Sequence, residues 1–189
     1  MTTEAIIESG MTFGPYPAGH CFYIEKSKSY RRVQEGVKMA EFLLLRGKDK
    51  LSAVVWVVEA KSTAPKLETQ PNFRDFVDEI CAKLTNGFLL AVAMRLGRHP
   101  DGLLELPEPF AELNLKTSSF RFVLVINGHR EAWLPPLQEA LALAFKPLVK
   151  SWALPPPSVI VLNEIGAQQR GLILPTARAM RARGESNIS

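Results

Sequence analysis

The chain has 189 residues, of which 47% are apolar and 22% charged, and a formal net charge of +4. That length fits one domain with a self-sufficient core, and the composition argues against disorder except at the ends. The positive excess permits a polyanionic partner without requiring one, and the longest apolar run, 87–94, is far too short to cross a bilayer.

The opening stretch MTTEAIIESG is acidic and lacks the pattern of a secretory leader, so the cytoplasm is the expected location. Residues 1–19 are expected to form a weak helix and a loop punctuated by Gly14, Pro15, Pro17 and Gly19, peripheral to a core at about 20–174. The segment 20–33 starts as a strand; after Ser29 it reads equally as a continued strand or as a short helix capped by Ser29. VKMAEFLLLRG (37–47) and LSAVVWVVEAKS (51–62) are apolar runs separated by the turn GKDK, which predicts an antiparallel hairpin.

Beyond a polar loop, Pro71 and Asn72 start a helix whose Phe73, Phe76, Val77, Ile80 and Leu84 follow helical spacing, with Gly87 as a candidate end and a second helix or a continuation over 88–96. Residues 97–118 read as a loop. FRFVLVINGH (120–129) is a strand, REAWLPPLQEALALAFKPLVKSWAL is helical despite Pro135, Pro136 and Pro147, and SVIVLNEI (158–165) is a last strand. The tail 175–189 is basic and then polar, and is expected at the periphery. Three meandering strands followed by alternating helices and strands predict a single-domain α/β protein with a mixed sheet flanked by helices.

Cys21 and Cys81 lie far apart with no CxxC or Cys/His cluster, which argues against a structural zinc site. There is no phosphate-binding glycine loop and no nucleophile elbow. What remains is a charged cluster. Strand alternation puts Glu59 and Lys61 on one face, the face of Val55 and Val57. Glu41 lies between Met39 and Leu43 near the start of the preceding strand, where a carboxylate is costly unless paired or bound to a cation. An antiparallel hairpin brings Glu41 beside Glu59 and Lys61. Two carboxylates at one sheet end suit a hard divalent cation, Mg²⁺ or Mn²⁺, which takes oxygen ligands together with water and phosphate.

The stretches AEFLLL (40–45) and VVEAKS (57–62), with the strand–turn–strand between them and the helix–strand segment after them, resemble the PD-(D/E)xK nuclease superfamily. The match spans roughly 37–165. It implies a restriction-endonuclease-like fold and a metal-dependent nuclease, with DNA as the expected substrate. Glu41, Glu59 and Lys61 are then the catalytic residues; Glu41, Glu59 and the backbone carbonyl of Ala60 hold the metal. The family's first acid is usually Asp, where this chain has Glu41, and the family's core begins with a helix, which is short or displaced here.

Lys26, Lys28, Arg31 and Arg32 are candidates to line a nucleic-acid backbone, against the plainer reading of a solvated edge. Arg178, Arg181 and Arg183 offer a second basic segment. Lys83 either projects toward the site from the first long helix or, on the plainer reading, faces solvent; His129 in NGHR reads as a turn residue rather than a base, and Trp56, Trp133 and Trp152 as core rather than base-stacking platforms. The alternative function is a catalytically silent relative that binds a partner. A chain of this size has little room for sequence-reading elements, so a homodimer or an accessory protein is an expected partner, and a membrane is not.

Overall fold

Apolar β-branched runs build one five-stranded sheet in the order β3 (Cys21–Phe22), β4 (Phe42–Arg46), β5 (Val54–Lys61), β6 (Ser119–Ile126), β7 (Val159–Asn163). The computed structural model describes residues 1–47 and 53–174. β3–β4 and β4–β5 are antiparallel; β5–β6 and β6–β7 are parallel. The hairpin of 37–47 with 51–62 therefore forms, although most of its expected turn and the basic tail lie outside the described residues. The strand within 37–47 begins only at Phe42.

The parallel strands need crossovers, and two long helices supply them. α2 (Asn72–Arg95) links β5 to β6 and α5 (Leu134–Ser151) links β6 to β7. Both lie on one face of the sheet, where Leu43, Val55, Val57, Phe120, Phe122, Leu124, Val159 and Val161 meet Ile80, Leu84, Phe88, Leu137, Leu141 and Phe145. Pro135 and Pro136 fall in the first turn of α5, where their missing amides leave no broken bond. Residues 97–118, expected as a loop, carry two short helices, α3 (Gly102–Glu105) and α4 (Glu108–Ala111).

The N-terminus differs most from expectation. Instead of a helix, it forms a hairpin of β1 (Ile6–Glu8) and β2 (Met11–Phe13), turned at Ser9 and Gly10, both at positive φ. It is not peripheral. Met11, Phe13 and Tyr16 are buried against Phe42, Leu44, Trp56, Val58, Val123 and Val125, and so cover the sheet face opposite α2. The Tyr16 hydroxyl donates to the Leu172 carbonyl at 2.7 Å, tying the N-terminal segment to the chain beyond α6 (Glu164–Gln169). The sheet is covered on both faces, as its near-continuous apolar strands require. The segment after β3 resolves as a turn of 3-10 helix and a helix, α1 (Lys28–Val33). Its cap is Ser27, which accepts from the Tyr30 amide at 3.0 Å; Ser29 instead donates to Glu105 at 2.8 Å.

α2 does not stop at Gly87. A Cβ at that position would stand 2.9 Å from the Ala40 Cβ and 3.0 Å from Val57 Cγ1. The glycine lets the helix settle onto the sheet at Val57, which sets the spacing of everything along this face.

Candidate functional site

The site grows from that contact. α2 and β5 run in opposite directions past each other. Four helix residues advance about 6 Å, and two strand residues about 6.6 Å, so the side chains on facing stripes stay in step. With Gly87 against Val57, Lys83 falls against Glu59 and Glu79 against Lys61. The Lys83 ammonium donates to Glu59 Oε1 at 2.7 Å. The Lys61 ammonium lies 2.9 Å from Glu79 Oε1 and 3.3 Å from Glu59 Oε1. Lys38 extends the chain of charges to Glu79 at 3.8 Å, near the surface.

Glu59 has no exposed surface. Burial raises its carboxyl pKa, and the charges and hydrogen bonds of Lys83 and Lys61 oppose that rise. The Lys83 pKa is raised, because the pull of Glu59 outweighs the burial that works against it. Lys83 is thus part of the cluster, and the solvent-facing reading of it is corrected. The signal was legible: Glu79, Lys83 and Gly87 repeat every four residues, as Val57, Glu59 and Lys61 repeat every two.

Glu41 approaches from β4. Its amide donates to the Val58 carbonyl at 3.0 Å, just before the Phe42–Val58 ladder pair. Its carboxyl group is buried, and its pKa is pushed up to about 8 by burial first, then by the charge of Glu59. Two acids absent from the sequence reading add to this. Glu25 donates its backbone amide to the Glu41 carbonyl at 3.3 Å, and its nearby carboxyl pushes the Glu41 pKa up further. Glu8, carried in by the N-terminal hairpin, adds a further negative charge. Glu8 lies outside every strand expected beside β4; Glu25 lies in the 20–33 segment, just past β3, and its carboxyl was not singled out.

One buried oxygen of each carboxylate, Glu41 Oε2 and Glu59 Oε2, has no hydrogen-bond partner among the described residues. Buried polar atoms are seldom left so. The Val58 carbonyl points toward β4 and the Lys61 carbonyl toward β6, where it accepts from the Asn127 amide at 2.9 Å. Strand alternation therefore directs the Ala60 carbonyl to the β4 side, beyond the start of that strand. Among the described residues no group of three or more His, Cys, Asp or Glu side chains is gathered as a metal shell. A cation here would rest on Glu41, Glu59 and the Ala60 carbonyl, with water or phosphate completing its sphere, a donor set that suits Mg²⁺. An open hollow of about 350 Å³ lined by Lys38, Asp75, Asp78 and Glu79 adjoins the charged chain.

The basic segment is exposed but partly engaged. The Arg32 guanidinium donates to the Pro100 carbonyl at 2.6 Å and lies 3.6 Å from Asp101. Lys26 sits over the Tyr23 ring at 4.0 Å, and the Lys28 and Ser29 amides donate to Glu105. Arg31 is exposed in the last turn of α1. Lys28 and Arg32, one turn apart on α1, together line an open hollow with Pro100, Asp101, Leu104 and Glu105. Trp56 is core, whereas Trp133 is half-buried and Trp152 is 37% exposed. His129 is buried at the edge of the Trp133 ring. No helix among the described residues is long and apolar enough to cross a membrane. No protein-family model, curated protein or solved structure matches this chain.

Proposed function

We propose that this protein is a Mg²⁺- or Mn²⁺-dependent phosphodiesterase of the PD-(D/E)xK type, acting on nucleic acid, with DNA as the first substrate to try. The observation that carries the reading is the buried acid pair: Glu41 held protonated near neutral pH beside Glu59, each with one unpartnered oxygen. A bound divalent cation would lower the pKa of a water and neutralise charge developing on the phosphate. Glu41, Glu59 and the Ala60 carbonyl would hold it.

The chain's own residues divide the remaining work. Lys83 offsets part of the cost of burying charge on Glu59. Glu79 holds the Lys61 ammonium at the rim, where it is a quarter exposed and can meet a phosphate oxygen or orient a water. Burial of the cluster keeps these interactions in a weakly screened environment.

One observation favours the second reading, a silent scaffold that recruits a partner. Glu59 is wholly enclosed and already neutralised by two lysines, as a structural ion pair would be. Cleavage of DNA and RNA with and without Mn²⁺ separates the two. The enzyme reading predicts cleavage that is lost in Glu59→Ala and reduced roughly 10²- to 10³-fold in Lys61→Ala. Folded protein that cleaves nothing leaves the scaffold reading.

A further inference from the structure

We propose a second functional surface: Lys66 and Arg130, held on the ring of Trp133, contact the phosphodiester backbone of a nucleic acid entering the Glu41–Glu59 site. The proposal rests on the nuclease reading above and says where its substrate lies.

The two cations come from different loops. Lys66 follows β5 by five residues, and Arg130 follows β6 by four. Both converge on one indole, with the Lys66 Nζ 4.5 Å and the Arg130 guanidinium carbon 4.9 Å from its ring centroid. His129 packs against the same ring with centroids 5.4 Å apart. A ring face attracts cations through its quadrupole, and here it gathers two like charges that would otherwise repel. Lys66 and Arg130 are exposed, and neither makes an ion pair among the described residues. Two cations held on one ring, without an ion pair among the described residues, offer a site for a repeating anion.

Their position supplies the link to the chemistry. Both loops leave the C-terminal ends of parallel strands, the edge at which open α/β sheets bind ligands. β5 and β6 are joined there by the bond from the Asn127 amide to the Lys61 carbonyl. A strand lying over Trp133 would thus run past the end of β5 that bears Lys61. The Lys26–Arg32 segment is a weaker candidate, because Arg32 already spends its guanidinium on Pro100 and Asp101.

The test is binding of short labelled single-stranded DNA, duplex DNA and RNA, followed by fluorescence anisotropy across a salt series in EDTA. EDTA removes cleavage from the readout, and circular dichroism checks each variant's fold. Lys66→Ala/Arg130→Ala should weaken binding and reduce the slope of log affinity against log salt by about two, one for each lost phosphate contact. Trp133→Leu should weaken binding with the slope largely kept, since the charges remain. Arg31→Ala/Arg32→Ala should change the slope little. Binding that survives Lys66→Ala/Arg130→Ala with its slope intact overturns this surface and leaves the nuclease reading standing. Wild-type protein that binds none of the three nucleic acids overturns both.

Discussion

Lys83 and Glu59 are 24 residues apart in the chain and 2.7 Å apart in space, and the approach of α2 to β5 at Gly87 brings them together. The pair joins a helix and a strand through charges that are 15% and 0% exposed. Removing Lys83 leaves the buried Glu59 with Lys61 alone, at 3.3 Å; breaking a buried pair commonly costs about 3–5 kcal/mol, and the remaining lysine makes that the upper end. Lys83→Met should therefore destabilise the fold by that order in urea unfolding. Glu59→Gln combined with Lys83→Met should recover part of the loss. Unchanged unfolding midpoints in the single variant would show that the pair is not held as described.

Gly87→Ala tests the spacing itself. The added methyl meets the Ala40 Cβ and the Val57 side chain at distances real Cβ atoms avoid. Overpacking of this kind costs about 1–3 kcal/mol. Because the helix must move outward, Lys83 should also lose its grip on Glu59. The loss in Gly87→Ala/Lys83→Met should then be smaller than the sum of the two single losses. A strictly additive result would separate the glycine contact from the ion pair.

The pH dependence follows from Glu41. Its carboxyl pKa rises from an ordinary 4.5 to about 8 in the folded protein. Between those values the folded chain holds a proton that the unfolded chain has released, so stability falls as pH rises. The decline should begin near pH 4.5 and level off above about pH 8. Glu59, also raised, adds to it in the same direction. Glu41→Gln should flatten the decline, which thermal melts from pH 5 to 9 will read directly.

Much of this was legible in the sequence because it rests on local pattern. Alternation in VVWVVEAK places Glu59 and Lys61 on one face whatever the surroundings. The antiparallel β4–β5 pair follows from two apolar runs and a short connection. The N-terminal hairpin was not legible. Three-residue strands carry too little alternation to register, and Met11, Phe13 and Tyr16 are core only because the opposite sheet face needs a cover. For the same reason Glu8 was not legible: it reaches Glu41 only through the placement of that hairpin. Gly87 was weighed as a helix breaker, yet its missing side chain is what permits helix and sheet to touch.

Glu41→Asp keeps a carboxylate on a shorter stem, the acid usual at this position under the proposed nuclease reading. If Glu41 is a ligand, this variant should retain divalent-dependent stabilisation, while Glu41→Gln should lose it. A thermal melt with and without millimolar Mn²⁺ reports both. Equal Mn²⁺ stabilisation of wild type and Glu41→Gln would remove Glu41 from the donor set.

Proton release on Mn²⁺ binding tests the central claim, that Glu41 and Glu59 form a divalent-cation site, most directly. Calorimetric titration in buffers of different ionisation enthalpy counts the protons exchanged. A ligand must be deprotonated to bind, and Glu41 holds its proton up to about pH 8. The account predicts binding with release of about one proton per ion at pH 7, falling toward none at pH 9. Absence of binding, or binding without a pH-dependent proton release, would contradict it.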